Sequence, residues 1–418
     1  MRARATELFH AACRAADPGV ALTRALRDAP LPRPDPGGRL LVVAVGKAAL
    51  PMAETLLQAL AAPDAPLARA EVLVVTNYEN ARPLPGAVVH AAGHPVPDAN
   101  GAQAAQAVEA LLHGATASDR VVALVSGGGS ALLPAPVAGL SLADKADTSR
   151  ILLAAGLDIT QMNQVRQGLS RLKGGGFLRV AAPAPVVAYI LSDVIGDDLR
   201  VIASGLTVAP IATHAETRSL LQARGLWEDL PEAARQALAR PDPSPAPQPA
   251  RNLLIGSNRK SLEAMRAAYG PGAVIVSDAL TGDVGEAAER IITAAQQAGS
   301  DRCLIFGGET TVTLRGDGLG GRNQELALRI ALGMPDLGRN WVFLSGGTDG
   351  RDGPTEAAGG LVDAGTPARI RAAGFDPQAL LANNDSNRAL AAAGDLLITG
   401  GTGTNVADVQ ALLLGPKL

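Results

Sequence analysis

Uniformly apolar runs, each followed by a glycine-rich turn and then by a helical pattern, organise this chain. The runs cover residues 40–45, 71–76, 121–125 and 186–191 in the first part. In the second part they cover 253–255, 273–276, 303–306, 341–344 and 396–399. Apolar runs without alternation predict strands buried on both faces, hence parallel sheets covered by helices. Ligands of such sheets bind beyond the carboxyl ends of the strands. The residues at those ends echo one another: Ser126-Gly127-Gly128-Gly129-Ser130, Gly307-Gly308-Glu309, Ser345-Gly346-Gly347-Thr348-Asp349 and Gly400-Gly401-Thr402-Gly403. A second echo pairs Ser192-Asp193-Val194-Ile195-Gly196-Asp197 with Ser277-Asp278-Ala279-Leu280-Thr281-Gly282-Asp283. Duplication accounts for this, and so does convergence of two α/β halves on glycine turns.

At the start, Leu8, Cys13, Ala16 and Val20 fit one face of an amphipathic helix. The Arg-rich opening looks like a transit peptide, but Glu7 and Asp17 argue against that. Between Pro241 and Pro249 every second residue is proline, a pattern that holds neither helix nor sheet ladder and predicts a stiff, extended spacer. With 418 residues the chain exceeds what one core supports. The predicted division is a domain of residues 1–240, a linker of 241–250 and a domain of 251–418.

Composition narrows the function. Aromatic residues make up 2% against 47% hydrophobic, so Ala, Val, Leu and Ile build the core. A net charge of −3 gives no reason for a nucleic-acid or membrane partner. No apolar run approaches the roughly 18 residues of a membrane span. Only Cys13 and Cys303 are present, without metal-type spacing, which predicts a reducing cytoplasm. Few aromatic anchors mark an interface, and a homo-oligomer is compatible with the sequence.

The stretch from Gly307 to Glu325 runs strand, glycine turn, glycine turn, helix start, and gathers backbone N–H groups with Glu309 and Arg322. That suits a phosphorylated ligand and a metal ion. Ser126, Gly127, Gly128, Gly129 and Ser130 form either a phosphate cradle or a plain tight turn; they match neither GxGxxG nor a Walker A loop. Lys47 follows Gly46 at the end of the first strand, as a ligand-facing point charge or a solvated surface lysine. Arg322 opens a helix, either for a carboxylate or transferring phosphoryl group or in a salt bridge with Glu325 or another first-turn carboxylate. Asp193, Glu309 and Asp349 are acidic turn positions that suit Mg²⁺, which takes one or two protein carboxylates. His94 lies in a turn-rich loop and reads first as a structural hydrogen-bonder. Arg166 and Lys173 share one side of a basic segment that faces an anion or solvent.

These residues together resemble the class II (MOFRL-type) glycerate 2-kinases. The matching segments are Val45-Gly46-Lys47-Ala48-Ala49, 93–98, 126–132, 192–198, 255–259, 307–325, 347–355, Asn384-Asp385-Ser386 and 402–406, in family order. The resemblance implies an α/β fold of two domains: a Rossmann-like N-terminal parallel-sheet domain and a smaller MOFRL-type C-terminal domain, with the active site in the cleft between them. It implies ATP-dependent phosphorylation of D-glycerate at the 2-hydroxyl, giving 2-phosphoglycerate; because Lys47 and Arg322 fall in different predicted domains, closure about the proline spacer is expected to assemble the site. The family's key lysine and arginine map onto Lys47 and Arg322. In an in-line phosphoryl transfer the backbone N–H groups of the 126–130 loop and of Gly346, Gly347 and Thr348 are expected to hold the phosphates of ATP. Some of Asp193, Glu309 and Asp349 are expected to hold Mg²⁺, and Asp193 to orient the substrate hydroxyl or accept its proton. The chain departs from the pattern at Gln167 and Gly168, where a basic pair is usual, at Gly176-Phe177, and at Leu206, Asn387 and Gly401. These departures weaken the case for a third cation near the substrate. Two other readings are a NAD(P)H-dependent hydroxypyruvate reductase and a non-catalytic nucleotide- or sugar-phosphate-binding protein. The first needs a third small residue in the glycine loop, where Leu132 stands, and a ribose-binding acid. In the second, Lys47 and Arg322 would be dispensable.

Overall fold

The computed structural model describes residues 1–61, 70–246, 248–299 and 302–416. The chain divides into two compact units: Ala21–Ser192 with Asp197–Ile255, and Met1–Val20 with Asp193–Gly196 and Gly256–Leu418.

The first unit is built on strands β1 Leu40–Val45, β2 Ala70–Asn77, β3 Val88–Ala92, β4 Arg120–Val125, β5 Val186–Leu191 and β6 Arg251–Gly256, in the order β3-β2-β1-β4-β5-β6. The pairs β2–β3, β1–β2, β1–β4 and β4–β5 are parallel, and every residue of β1 is buried. Complete apolarity thus does what it predicts: a central strand is wetted on neither face. Register sets up the loops that follow, because Val45 stands opposite Val125, so the chain leaves β1 and β4 side by side. β3 escapes the apolar-run criterion, since Val88 is exposed and His90 interrupts the run. Helices of this unit open on self-capping turns, Ser141 with Asp144, Asp158 with Gln161 and Thr213 with Glu216.

The boundaries at 240 and 251 are not those of the units. The described residues of the proline stretch carry neither helix nor strand, while Pro247 lies outside the described residues. The strand after the stretch, β6, joins β5 in the first sheet, so that sheet ends beyond the prolines.

The second unit holds β7 Ala273–Asp283, β8 Cys303–Thr311, β9 Trp341–Gly347, β10 Gly359–Asp363, β11 Leu396–Leu397 and β12 Asp408–Leu414, in the order β11-β10-β9-β12-β8-β7. Only β7 and β8 run parallel; β12 lies antiparallel between β8 and β9, and β10 antiparallel to β9 and β11. The expected parallel sheet is therefore a mixed one. Full burial makes a strand apolar whatever its direction, and β12, buried throughout but carrying Asp408 and Gln410, is not an unbroken apolar run. The segment 277–283 belongs to β7, with register shifts, rather than to a turn. The first helix, Arg2–Ala15, sets Leu8, Phe9 and Ala12 against Leu262, Ile305, Leu344 and Val409 on one face of this sheet. It stops short of Val20, which sits exposed on the next helix, Pro18–Asp28. Ile291, Leu326 and Ile330 cover the other face with Phe306 and Phe343. Among the described residues no helix is long and apolar enough to cross a membrane.

Candidate functional site

In the first unit the ends of β1 and β4 form one structure. Ser126 donates its N–H to the Val45 carbonyl at 2.9 Å, and its hydroxyl accepts from the Ala48 N–H at 3.1 Å. Lys47 donates its N–H to the Gly127 carbonyl at 2.9 Å. Gly46, at φ +125°, is required by this closeness, since a Cβ there would lie 2.1 Å from Ser126 Oγ. The Lys47 backbone is thereby fixed, its carbonyl held by Asn80 Nδ2 at 3.0 Å, and the residue is exposed at the strand end.

The chain then turns at Gly128, which is left-handed at φ +83°. Among the described residues no protein acceptor takes the N–H groups of Gly127, Gly128, Gly129 or Ser130. Four successive free donors in a turn make a concavity for an anion. The helix that follows, Gly129–Leu132, is a single turn, so the donors belong to the loop and not to a helix of any dipole strength. Lys47 and His94 converge here: a Cβ on Gly128 would lie 3.1 Å from His94 Cδ2 and 3.2 Å from Lys47 Cγ. Burial, then the Lys47 ammonium, holds the His94 imidazole below its ordinary range. The Ser130 hydroxyl meets Ser204 Oγ, which donates to Asn163 Oδ1 at 2.7 Å. Arg166 and Lys173 line a cavity beside the loop.

In the second unit Arg322 opens the helix Arg322–Gly333. Its Nε donates to Asp408 Oδ2 at 2.6 Å and its Nη2 to Oδ1 at 3.1 Å, a two-pronged pair. Nη1 lies 2.8 Å from Glu309 Oε1. Asp408 is fully buried, and burial pushes its carboxyl up to about 6 against the pull of Arg322. Burial works to lower the Arg322 guanidinium; Asp408, and then Glu309 and Asp352, outweigh it and hold the charge more firmly than usual. Glu325 pairs instead with Arg329 at 2.8 Å and accepts from Asn384 Nδ2 at 3.0 Å.

The glycines before Arg322 serve architecture. Asp352 supplies the anion at this helix N-terminus, accepting from the N–H groups of Asn323 at 3.1 Å and Gln324 at 2.9 Å. A Cβ on Gly321 would meet the Asp352 carboxylate at 2.3 Å, and one on Gly316 would meet Asn383 Oδ1 at 2.1 Å. The helix start is thus filled by the protein's own carboxylate rather than left for a phosphate.

One further set of predicted residues, Gly346, Gly347 and Thr348, is placed differently from expectation. Gly346 and Gly347 are the last residues of β9, and the Gly347 N–H donates to the Ala358 carbonyl at 2.8 Å. Thr348 is buried, with its N–H and hydroxyl both on the Ala407 carbonyl. These donors are spent within the sheet, and Gly346 is small because the Phe9 ring lies where its Cβ would be. Asp193 is half-buried just past β5; Glu309 and Asp349 are exposed at strand ends. Among the described residues no three such side chains gather into a metal-type cluster. Asp349 Oδ1 caps the Arg351 N–H at 3.0 Å, and Glu309 faces Arg322.

Comparison with known proteins decides the family. Residues 4–239 match the family described as a domain of unknown function, DUF4147, and residues 302–408 match the MOFRL family. The chain is 39% identical to the D-glycerate 2-kinase of Thermotoga maritima over 381 residues, covering 89% of each. It is 36% identical to the glycerate kinase of Homo sapiens over 500 residues, covering 99% of this chain and 93% of that one. A putative hydroxypyruvate reductase of Agrobacterium vitis is 40% identical over 422 residues, 98% of this chain and 93% of that one. The crystal structure of a glycerate kinase from Thermotoga maritima superimposes with a TM-score of 0.90 at 36% identity, covering 99% of both chains.

The chain belongs to the class II glycerate 2-kinase family.

In this glycerate 2-kinase family member, two residues that shape the surroundings of Arg322 have no local signal in the sequence. Asp408 lies 86 positions from Arg322 on a strand that is not a plain apolar run, and Asp352 lies 29 from the Asn323 it caps. Only the charge-bearing start of β12, Asp408 ahead of a buried strand, hints that a cation must meet it.

Proposed function

We propose that this enzyme transfers the γ-phosphoryl group of ATP to the 2-hydroxyl of D-glycerate, giving 2-phosphoglycerate and ADP. The observation that carries the reading is the run of free N–H groups from Gly127 to Ser130, beside an exposed Lys47 whose backbone is pinned to that same loop. A phosphate chain on these donors would have its charge met by Lys47. The glycerate hydroxyl oxygen forms the new bond to γ-phosphorus while the bond to the β,γ-bridging oxygen breaks, that oxygen leaving on ADP, and the hydroxyl proton passes to the Asp193 carboxylate or to solvent. Positioning and electrostatics supply most of the acceleration of such a transfer. Arg322, its Nε and Nη2 committed to Asp408, has Nη1 paired, among the described residues, only with the exposed Glu309. That prong is the one to exchange for a substrate carboxylate or transferring phosphoryl oxygen. Asp193 is the residue proposed to orient the hydroxyl.

Magnesium needs only one or two protein carboxylates when phosphates and waters complete its shell. Exposed Glu309 and Asp349 fit that demand singly, and Asp193 is the third candidate. Bound there, the ion would neutralise phosphate oxygens. Two free, buried cysteines support a cytoplasmic setting.

Purified protein with D-glycerate, ATP and Mg²⁺, read by enolase alone, tests the reading. Immediate signal means the 2-phosphate. Signal only after adding phosphoglycerate mutase means the 3-phosphate and refutes the regiochemistry. NAD(P)H oxidation by hydroxypyruvate without ADP formation would replace the kinase by a reductase.

A further inference from the structure

We propose that the cavity of about 470 Å³ beside the 126–130 loop is a binding site for a multiply charged phosphate group, recognised by Lys145, Arg166 and Lys173. Lys145 stands on the helix Leu142–Ala154, is 6% exposed, and its Nζ has no hydrogen-bond partner among the described residues. Lys173, 2% exposed, donates its Nζ to the Ser130 carbonyl at 2.7 Å, which ties this cation directly to the loop with the free N–H groups. Arg166, half-buried on the helix Ile159–Gly168, completes the set. Among the described residues no acidic side chain lines the cavity. Nearby Arg171 shows the contrast: it is paired with Glu109 at 2.7 Å.

Buried ammonium groups without a counter-ion are costly, and the protein responds electrostatically. Burial, and then Arg166 and Arg171, pushes Lys145 down to about 8. Burial, and then Lys145 and Arg166, holds Lys173 well below the ordinary lysine range. Such a set is stable only marginally without negative charge, and it becomes a binding site once a ligand brings that charge. A single carboxylate would answer one of the three cations. A phosphate chain offers several acceptor oxygens and more than one charge, so it answers all three. The third cation that Gln167 and Gly168 had put in doubt is supplied by Lys145, from a different helix. The inference rests on the kinase reading only for the source of the phosphate, which is either the nucleotide or the phosphorylated product.

Calorimetric titration of the wild-type protein and of Lys145→Met with sodium tripolyphosphate is the test, with ADP and 2-phosphoglycerate as further arms. Tripolyphosphate should bind the wild type and bind Lys145→Met at least tenfold more weakly, and added salt should weaken the wild-type binding. The free Lys145→Met protein should melt no lower than wild type, because an unpaired buried charge has been removed. If that variant does not fold, Ser149→Glu serves instead: it lies one helical turn away on the same helix, lines the cavity and would install a counter-ion. A matching loss for ADP identifies the nucleotide as the source, and a matching loss for 2-phosphoglycerate identifies the product; either supports the site. Unchanged tripolyphosphate affinity in the folded variant overturns it, as does no binding to wild type. Wild-type protein that makes 2-phosphoglycerate while Lys145→Met keeps full affinity would sink the pocket and leave the kinase. Lys145-dependent tripolyphosphate binding without phosphoglycerate formation would do the reverse.

Discussion

Arg322 and Asp408 form a two-pronged pair, Nε to Oδ2 at 2.6 Å and Nη2 to Oδ1 at 3.1 Å, with the carboxylate fully buried and the guanidinium half exposed. The pair fixes the plane of the guanidinium and leaves Nη1 as its outward prong. Truncation to Arg322→Ala should lower kcat about a hundredfold or more, as loss of a charge-stabilising donor does. It should also cost roughly 3 kcal/mol of stability, because Asp408 is left buried and unpaired. Adding Asp408→Asn to that variant should restore most of the stability and none of the turnover. Urea unfolding and steady-state kinetics on the two proteins check this; recovery of activity in the double variant would make Arg322 purely structural.

Lys47 has the opposite character. Its backbone is held by Gly127 and Asn80, its residue is exposed, and no ion pair holds its ammonium among the described residues. Lys47→Ala should therefore leave unfolding free energy within about 0.5 kcal/mol of wild type, the usual range for a surface change. Turnover should nevertheless fall tenfold or more, because the lost charge faces the phosphate loop. Thermal melts alongside kcat measurements separate the two; unchanged kcat would return Lys47 to an ordinary surface lysine.

How much of this was legible depends on whether the signal was local. β1, β4 and β5 were readable because burial on both faces leaves a plain apolar run. Lys47 and the 126–130 loop were readable because both immediately follow such runs. The glycines told truly that backbone or side chain comes close, but not what comes. At Gly346 it is the Phe9 ring, at Gly307 Asn258, and at Gly321 Asp352, each brought from far along the chain. Direction within the second sheet was hidden for the same reason, since a doubly buried strand is apolar whichever way it runs.

Gly321 turns that lesson into a measurement. Its position holds the helix start against Asp352, with room for hydrogen and not for a methyl group. Gly321→Ala should displace the Asp352 carboxylate from the Asn323 and Gln324 N–H groups and cost about 1–2 kcal/mol as a lost helix cap. Because Arg322 is the next residue, kcat should fall with it. A variant as stable as wild type by urea unfolding would show that the cap tolerates the side chain and that the glycine serves another purpose.

Asp119 provides a pH test away from the site. Its Oδ1 accepts from the Arg39 N–H at 2.6 Å, and its Oδ2 from the Thr116 N–H at 2.8 Å and Arg39 Nη2 at 3.1 Å. Burial works to raise this carboxyl, but Arg39 and the Thr116 N–H outweigh it and hold it down at about 2. The folded protein thus binds this proton less readily than the unfolded chain, where an aspartate titrates near 3.9. The stabilisation, about 2–3 kcal/mol by linkage, is present above pH 4 and lost as pH falls toward 2. Asp408 runs the other way: its carboxyl, raised to about 6, favours the folded state when protonated and loses that contribution as pH rises from about 4 to 6. The wild-type curve alone therefore mixes opposed slopes from several groups. The difference between wild type and Asp119→Asn isolates one, since Asp408 is common to both. That difference, from urea unfolding, should be steady from pH 7 down to about 4.5 and shrink steadily below it. A difference that does not change with pH would show that Arg39 and Thr116 do not favour the charged form of Asp119.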